Sequence, residues 1–175
     1  SELRFEQPIY VSGHTAEPCH MASDMHPLGV VGALGEEAIG GLARDVQGEL
    51  VLPDDGAYDG ARDVWNGLIN RYPAVIVRVA DGTDVARAVG FAREHDLDLS
   101  VRGGAHDQAG SAIAENGVVV DLQRLDHVDV DPDAQVATVV SGAQTADVLS
   151  ETQEYGLAPP TGSAGSPGMA GTTLG

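Results

Sequence analysis

Pro73-Ala74-Val75-Ile76-Val77-Arg78-Val79, then Asp81-Gly82-Thr83, then Leu97-Asp98-Leu99-Ser100-Val101-Arg102-Gly103-Gly104-Ala105-His106 follow one another in one stretch, and their order decides how the chain reads. The first run has the β-branched content of a buried strand. Asp81-Gly82-Thr83 breaks it, and Thr83 is placed to cap a helix whose apolar positions Val85, Ala88, Val89 and Ala92 recur at helical spacing. His95 and Asp96 close that helix, and Leu97 to Val101 alternates as a short strand. Residues 74–101 are therefore expected to form a strand-helix-strand unit, a connection that favours parallel pairing. The glycine pair then leaves the end of a strand.

Upstream, Glu36 to Arg44 reads as a short helix and Val46 to Pro53 as an extended segment ending in the Asp54-Asp55-Gly56 turn. Tyr58 to Asn70 is expected to be helical, with Val64, Leu68 and Ile69 on one face. Residues 1–34 show no sustained period, are broken by Pro8, Pro18 and Pro27, and are expected to form a loose extension. Its His14, Cys19, His20 and His26 match no metal-ligand spacing.

Downstream, Gly117 to Leu122 is a further strand, and His127 to Asp131 with Gln135 to Val140 form a hairpin around Pro132-Asp133. Asp129, Asp131 and Asp133 alternate as in a calcium loop, but the central Gly and closing Glu are missing and Pro132 interrupts them, so a turn is expected. Thr145 is expected to cap a helix bearing Val148, Leu149, Thr152 and Tyr155, with Gly156 at the left-handed position beyond its end. The expected class is α+β, with residues 35–175 as the folded part.

Charge narrows the partners. Against 27 acidic residues stand nine basic ones, all Arg, for a net charge of −18. Such a chain repels phosphate backbones and anionic membranes, so neither nucleic acid nor membrane is expected as a partner. The balance also suits molar salt, where a Debye length of about 3 Å lets crowded carboxylates remain as solvating groups. Cys19 is alone, so no internal disulfide is implied. No apolar run approaches the ~20 residues of a membrane span and no signal peptide opens the chain, which makes a cytoplasmic protein the default.

Two glycine-rich loops carry the chemistry. Gly103 and Gly104 let backbone N–H groups approach a pyrophosphate closely, and Arg102 offers a countercharge. In the second, Gly162, Gly165, Gly168 and Gly171 recur every third residue, with the hydroxyls of Thr161, Ser163, Ser166, Thr172 and Thr173 between them, a segment able to wrap a polar ligand. Taken alone, the first is equally a strand-to-strand turn and the second a low-complexity tail. Neither has the Gly-x-Gly-x-x-Gly spacing before a helix that marks a nicotinamide dinucleotide site.

From about Gly35 to Gly175 the chain resembles the N-terminal flavin domain of berberine bridge enzyme-like oxidases, within the vanillyl-alcohol oxidase superfamily and its PCMH-type FAD-binding domain. The resemblance rests on Tyr58-Asp59-x-Ala61-Arg62-x-x-Trp65-Asn66, Arg102-Gly103-Gly104-Ala105-His106, Gly110-Ser111, Val120-Asp121-Leu122, Val130-Asp131-Pro132, Gly142-Ala143, Tyr155-Gly156-Leu157-Ala158 and Gly168-Met169-Ala170-Gly171-Thr172-Thr173-Leu174-Gly175. It implies a small strand-helix-strand subdomain beside a second, mostly antiparallel sheet flanked by helices. It implies FAD held by Arg102, Gly103, Gly104, Ala105, His106, Gly110, Ser111, Gly162, Gly168, Gly171 and Thr172, with His106 bonded to the flavin 8α-methyl.

The chain departs from the family pattern in three places. Ala105 stands where Gly is commonest, and a methyl group there is tolerated if the position has negative φ. Ala164 stands where many relatives carry a second, cysteinyl linkage, and Cys19 lies too far upstream to replace it, so the resemblance implies a single bond. The sequence also stops at Leu174-Gly175, where relatives continue into a substrate-binding domain with the catalytic base; the chain reads as a truncated product or fragment, incomplete at its C-terminus and with no catalytic residue of its own. The implied activity is oxidation of a small organic molecule, alcohol or sugar-like, by hydride transfer to flavin N5, with oxygen or another acceptor reoxidising the cofactor, in a haloarchaeal or other salt-adapted organism. The small-molecule substrate would be held by the missing domain. Two alternatives stand: a non-catalytic FAD-binding remnant, and a reductase of the same fold that holds its flavin without a covalent bond.

Overall fold

Alternation along the strands dictates a two-sided sheet. The computed structural model describes residues 26–174. Four strands, β1 (Glu49–Val51), β2 (Val75–Arg78), β3 (Leu99–Arg102) and β4 (Val118–Asp121), lie in the order β1-β2-β4-β3. β2 and β3 both run parallel to β4, and β1 pairs antiparallel with β2. The strand-helix-strand unit is thus present, but β4 sits between its two strands; strand order is set by long-range pairing, which local periodicity does not encode.

On one face Val75, Val77, Val118 and Val120 pack against α1 (Pro27–Asp45) and α3 (Gly82–Glu94) through Val30, Leu42, Ala88, Phe91 and Ala92. On the other, Val51, Ile76 and Val119 meet Tyr58, Ala61, Val64, Ala105, Ala112 and Ile113. Each fully buried Val or Ile contributes about 2 kcal/mol of transfer free energy. Tyr58 donates its hydroxyl proton to the Pro73 carbonyl at 2.6 Å. Burial pushes that hydroxyl up to about 12, against the pull of Arg62.

Several local expectations are corrected. The expected loose extension is helical from Pro27: the His26 ring accepts from the Leu28 N–H, Pro27 takes the first turn, and Val30 reaches the core. Gly35, at φ 80°, breaks α1 into two segments, the second of which is the expected one. His14, Cys19 and His20 lie outside the described residues. The helix expected over Tyr58 to Asn70 is only α2 (Tyr58–Arg62); Asp63 turns extended and Leu68 is 92% exposed. Asp81, not Thr83, caps α3, accepting from the Thr83 and Asp84 N–H groups. Among the described residues no helix is long and apolar enough to cross a membrane.

Asp84 shows what stitches β1 to α3. Its side chain is fully buried and accepts from the N–H groups of Gln47 and Gly48 at 2.8 Å and Ala80 at 3.0 Å, with Arg87 at 3.3 Å. Burial works against its charge, but the three backbone donors outweigh that and hold the carboxyl below the usual carboxylate range. A lowered native pKa contributes stability that is complete above the unfolded value of about 3.9 and lost as pH falls below it. Asp84→Asn sets an amide donor against backbone donors and is expected to cost about 3 kcal/mol at neutral pH. Urea denaturation of both chains checks this, and the difference should shrink on acidification.

A second unit follows β4. β5 (Val128–Asp131) and β6 (Val136–Val139) form the expected antiparallel hairpin, and α4 (Thr145–Gln153) packs on it through Val148. Gln144 caps α4 one residue before the expected Thr145, with Asp147 completing a capping box, and Gly156 takes the expected left-handed conformation at φ 69°. α5 (Met169–Leu174) closes the described chain.

Candidate functional site

Parallel neighbours force the chain leaving Arg102 to travel back a full strand length before Val118, and residues 103–117 make that return without a helix. The return is tied at both ends. Ser100 Oγ donates to the Ala112 carbonyl at 3.0 Å and accepts from the Ala114 N–H at 2.9 Å. The Arg71 guanidinium donates to the Gly110 and Ile113 carbonyls at 2.8 and 3.1 Å. The Trp65 N–H donates to the Ala105 carbonyl at 3.1 Å, and Asn66 donates its amide to the Gln108 carbonyl at 2.8 Å. The glycine loop is thereby held at the carboxyl end of a parallel strand, the usual place for a ligand crevice in such sheets.

The second glycine loop is held from the other unit. Thr145 and Ala146 donate their N–H groups to the carbonyls of Pro167 and Gly165 at 3.0 and 2.9 Å, and the Met169 N–H donates to Ala143 at 2.9 Å. The two loops meet backbone to backbone. A Cβ on Gly104 would lie 2.2 Å from the Gly168 nitrogen, and one on Gly168 would lie 2.5 Å from the Gly104 nitrogen. Only glycine at both positions permits this approach.

Between them opens a cleft of about 700 Å³, lined by the apolar side chains of Val101, Ala112, Leu122 and Leu174 and by residues 103–107, Pro167, Gly168 and residues 170–172 of the two loops. Among the described residues the N–H groups of Gly103, Gly104, Ala105 and His106 donate no hydrogen bond within the chain. A run of amides facing a cleft is a set of donors for a phosphate group. A dinucleotide, with a charged middle and flat apolar ends, fits this combination of donors and wall.

Of the expected site residues, Gly103, Gly104, Ala105, His106, Ser111, Gly168, Gly171 and Thr172 line the cleft. Arg102 does not. Strand alternation turns Val101 into the cleft and Arg102 to the opposite, buried face, where its guanidinium donates to the carbonyls of Ala61 and of Asp63, the latter at 2.8 Å. It lies 3.7 Å from Asp121, which lies 4.0 Å from the half-buried Arg78, so the three aligned strand ends carry a row of alternating charge. Burial pulls the Arg102 guanidinium down from its ordinary value, and Asp121 opposes that pull. Gly110, at φ 71°, packs against Ile69 rather than the cleft, and Gly162 lies outside it. Ser111 is tied to Asp107, whose carboxylate accepts from the Ser111 N–H at 2.7 Å and the Ala109 N–H at 3.1 Å. The Ser111 hydroxyl and these amides hold the Asp107 carboxyl below the usual range.

Ala105 has φ 50°, so the negative φ that would make its methyl easy to tolerate is not met. Its methyl is buried among Ile113, Val119 and their neighbours, which offsets a left-handed cost of about 1 kcal/mol. Ala105→Gly is therefore expected to leave stability within about 0.5 kcal/mol of the parent, whereas the β-branched Ala105→Val is expected to lose about 2 kcal/mol or more in thermal denaturation.

His106 stands at the rim. Its ring stacks on Trp65 with centroids 4.8 Å apart and planes 20° from parallel, and its Nε2 lies 2.8 Å from Ser166 Oγ. Neither partner was evident as such in the sequence: Trp65 fell inside a stretch read as helix, and Ser166 was one of five hydroxyls in the second loop.

An α+β domain with two glycine loops closing on a cleft of this lining has the donors and the space to hold a dinucleotide. The chain belongs to the FAD binding domain family, which it matches over residues 73–175. It is 33% identical over 129 residues to (R)-6-hydroxynicotine oxidase of Paenarthrobacter nicotinovorans and 34% identical over 128 residues to an FAD-linked oxidoreductase of Bacillus subtilis. These alignments cover 74% and 73% of this chain but 28% of each relative, so the chain spans little more than a quarter of their length. Among solved structures it is similar to 6-hydroxy-D-nicotine oxidase of Arthrobacter nicotinovorans, with a TM-score of 0.69 at 32% identity over 70% of this chain and 27% of that one. A berberine bridge enzyme-like protein of Physcomitrella patens shares the fold, with a TM-score of 0.74 at 23% identity over 79% of this chain and 30% of that one.

Proposed function

We propose that this chain is the cofactor-holding part of an oxidoreductase in which FAD is bonded covalently to His106, and that the whole protein oxidises a small organic molecule, alcohol or sugar-like. The observation that carries this reading is the meeting of Gly104 with Gly168, which closes an amide-lined cleft with the His106 ring fixed at its rim.

When bound, FAD supplies a two-electron acceptor at flavin N5, from which oxygen or another oxidant removes the electrons. The chain's own residues bind and orient. The amides of Gly103 to His106 would hold the pyrophosphate, and Val101, Ala112 and Leu122 would exclude water from one side of the cofactor. His106 would anchor it. The groups that contact the substrate and take its proton belong to a further part of the protein, and the relatives' extra length is consistent with that.

The net charge of −18 supports a second element of the proposal, adaptation to molar salt. The test of the whole reading is acid precipitation of protein purified in high salt with FAD. A yellow pellet that fluoresces after denaturing electrophoresis is expected. Colour passing entirely into the supernatant would favour a non-covalent flavin reductase of the same fold, and protein that takes up no flavin at all would contradict the FAD-binding reading and favour a remnant unable to fold stably.

A further inference from the structure

We infer that Asp107 makes loading of the cofactor depend on salt: its carboxylate opposes the FAD diphosphate in the same cleft, and the affinity for FAD rises as ionic strength screens that repulsion. The inference rests on the FAD reading above and adds to it a residue and the sign of the salt dependence.

A phosphate site built on lysine or arginine draws affinity from their charge, and added salt weakens it by screening the attraction. This cleft is built the other way. The chain has no lysine; Arg4 lies outside the described residues, and none of the other eight arginines lines the cleft. Arg102, which precedes the glycine pair, is turned to the buried face and held there by the carbonyls of Ala61 and Asp63 and by Asp121. Apart from the His106 imidazole, Asp107 carries the one ionisable side chain of the lining, and its charge is negative. The diphosphate would therefore meet neutral amides and a carboxylate.

The carboxylate is fastened in place. It accepts from the Ser111 N–H at 2.7 Å and the Ala109 N–H at 3.1 Å, and the Ser111 hydroxyl bonds to it as well. Arg71, the cation that attracts it, donates its guanidinium protons to the carbonyls of Ala109, Gly110 and Ile113. Asp107 is exposed, so its repulsion of a bound diphosphate passes through solvent and is set by ionic strength. At about 0.15 M salt the Debye length is about 8 Å, comparable with the width of a cleft of about 700 Å³; at about 1 M it is about 3 Å and the two groups no longer sense each other. The net charge of −18 acts in the same direction at longer range.

The experiment titrates FAD into the full chain and into Asp107→Asn and Asp107→Ser, from about 0.15 M to about 1 M KCl, with sucrose present throughout to hold the fold and circular dichroism recorded at each salt. Reversible binding is read from flavin fluorescence quenching immediately after mixing, and riboflavin, which has no phosphate, is titrated alongside. Expected are a rise of about tenfold in parent affinity for FAD across the range, a change of about twofold or less for riboflavin, and variants that bind FAD about threefold more tightly than the parent at low salt and equally at high salt. FAD affinity that falls with salt, riboflavin following the same rise, or variants with the parent's salt dependence overturns the inference while leaving the FAD reading intact. Variants weaker than the parent at every salt would show that Asp107 only fastens the turn, and overturn it too. A parent that quenches no flavin at any salt overturns both readings.

Discussion

Gly104→Ala is expected to weaken FAD binding by about 10- to 100-fold, while Gly103→Ala changes it little. The difference is geometric. A methyl on Gly104 would lie 2.2 Å from the Gly168 nitrogen and 2.8 Å from the Ser166 carbonyl oxygen, all backbone, so no side chain can swing aside. The loops must part, and overpacking of this kind costs about 1–3 kcal/mol, which converts to the stated range. A methyl on Gly103 meets nothing nearer than the Ser141 carbonyl oxygen at 3.7 Å, an ordinary contact. Fluorescence titration of FAD against the two variants separates them, and equal loss in both would show that the Gly104–Gly168 approach does not govern the cleft.

The second large effect falls on stability. Arg102→Met is expected to cost about 3–5 kcal/mol, because it leaves Asp121, only 2% exposed, with a single cation at 4.0 Å, and strips donors from the Ala61 and Asp63 carbonyls. It should unfold at lower urea concentration than the parent. At concentrations of denaturant where it remains folded, its FAD affinity should be close to that of the parent, since the guanidinium does not face the cleft. A pure affinity defect with unchanged stability would place Arg102 back among the cofactor's ligands.

Arg102 also shows where the sequence was legible and where it was misread. Parity along Leu99-Ser100-Val101-Arg102 already puts Ser100 and Arg102 on one face and Leu99 and Val101 on the other, so the burial of Arg102 followed from alternation once the strand was placed. Its charge beside two glycines suggested a phosphate contact instead. The same guanidinium accounts for the shortened α2. It takes the carbonyls at the helix end, and Asp63 turns extended where the apolar spacing of Val64, Leu68 and Ile69 had suggested continuation. What followed from local chemistry was read correctly: the β-branched runs of β2 and β4, the hairpin and Gly156. What depends on distant pairing was not legible. Nothing between Val75 and Arg102 states that β4 will enter between β2 and β3. Nor does anything in the second loop distinguish Ser166 from Ser163 until the fold carries one of them to His106.

The central claim is that His106 anchors the flavin, and peptide mapping tests it most directly. Trypsin cleavage after Arg102 and Arg124 releases Gly103–Arg124, whose sole histidine is His106. Protein loaded with FAD, denatured and digested, is expected to yield this peptide with the flavin attached, and fragmentation should assign the added mass to His106. Flavin recovered entirely free of peptide, or attached to any other residue, would contradict the account.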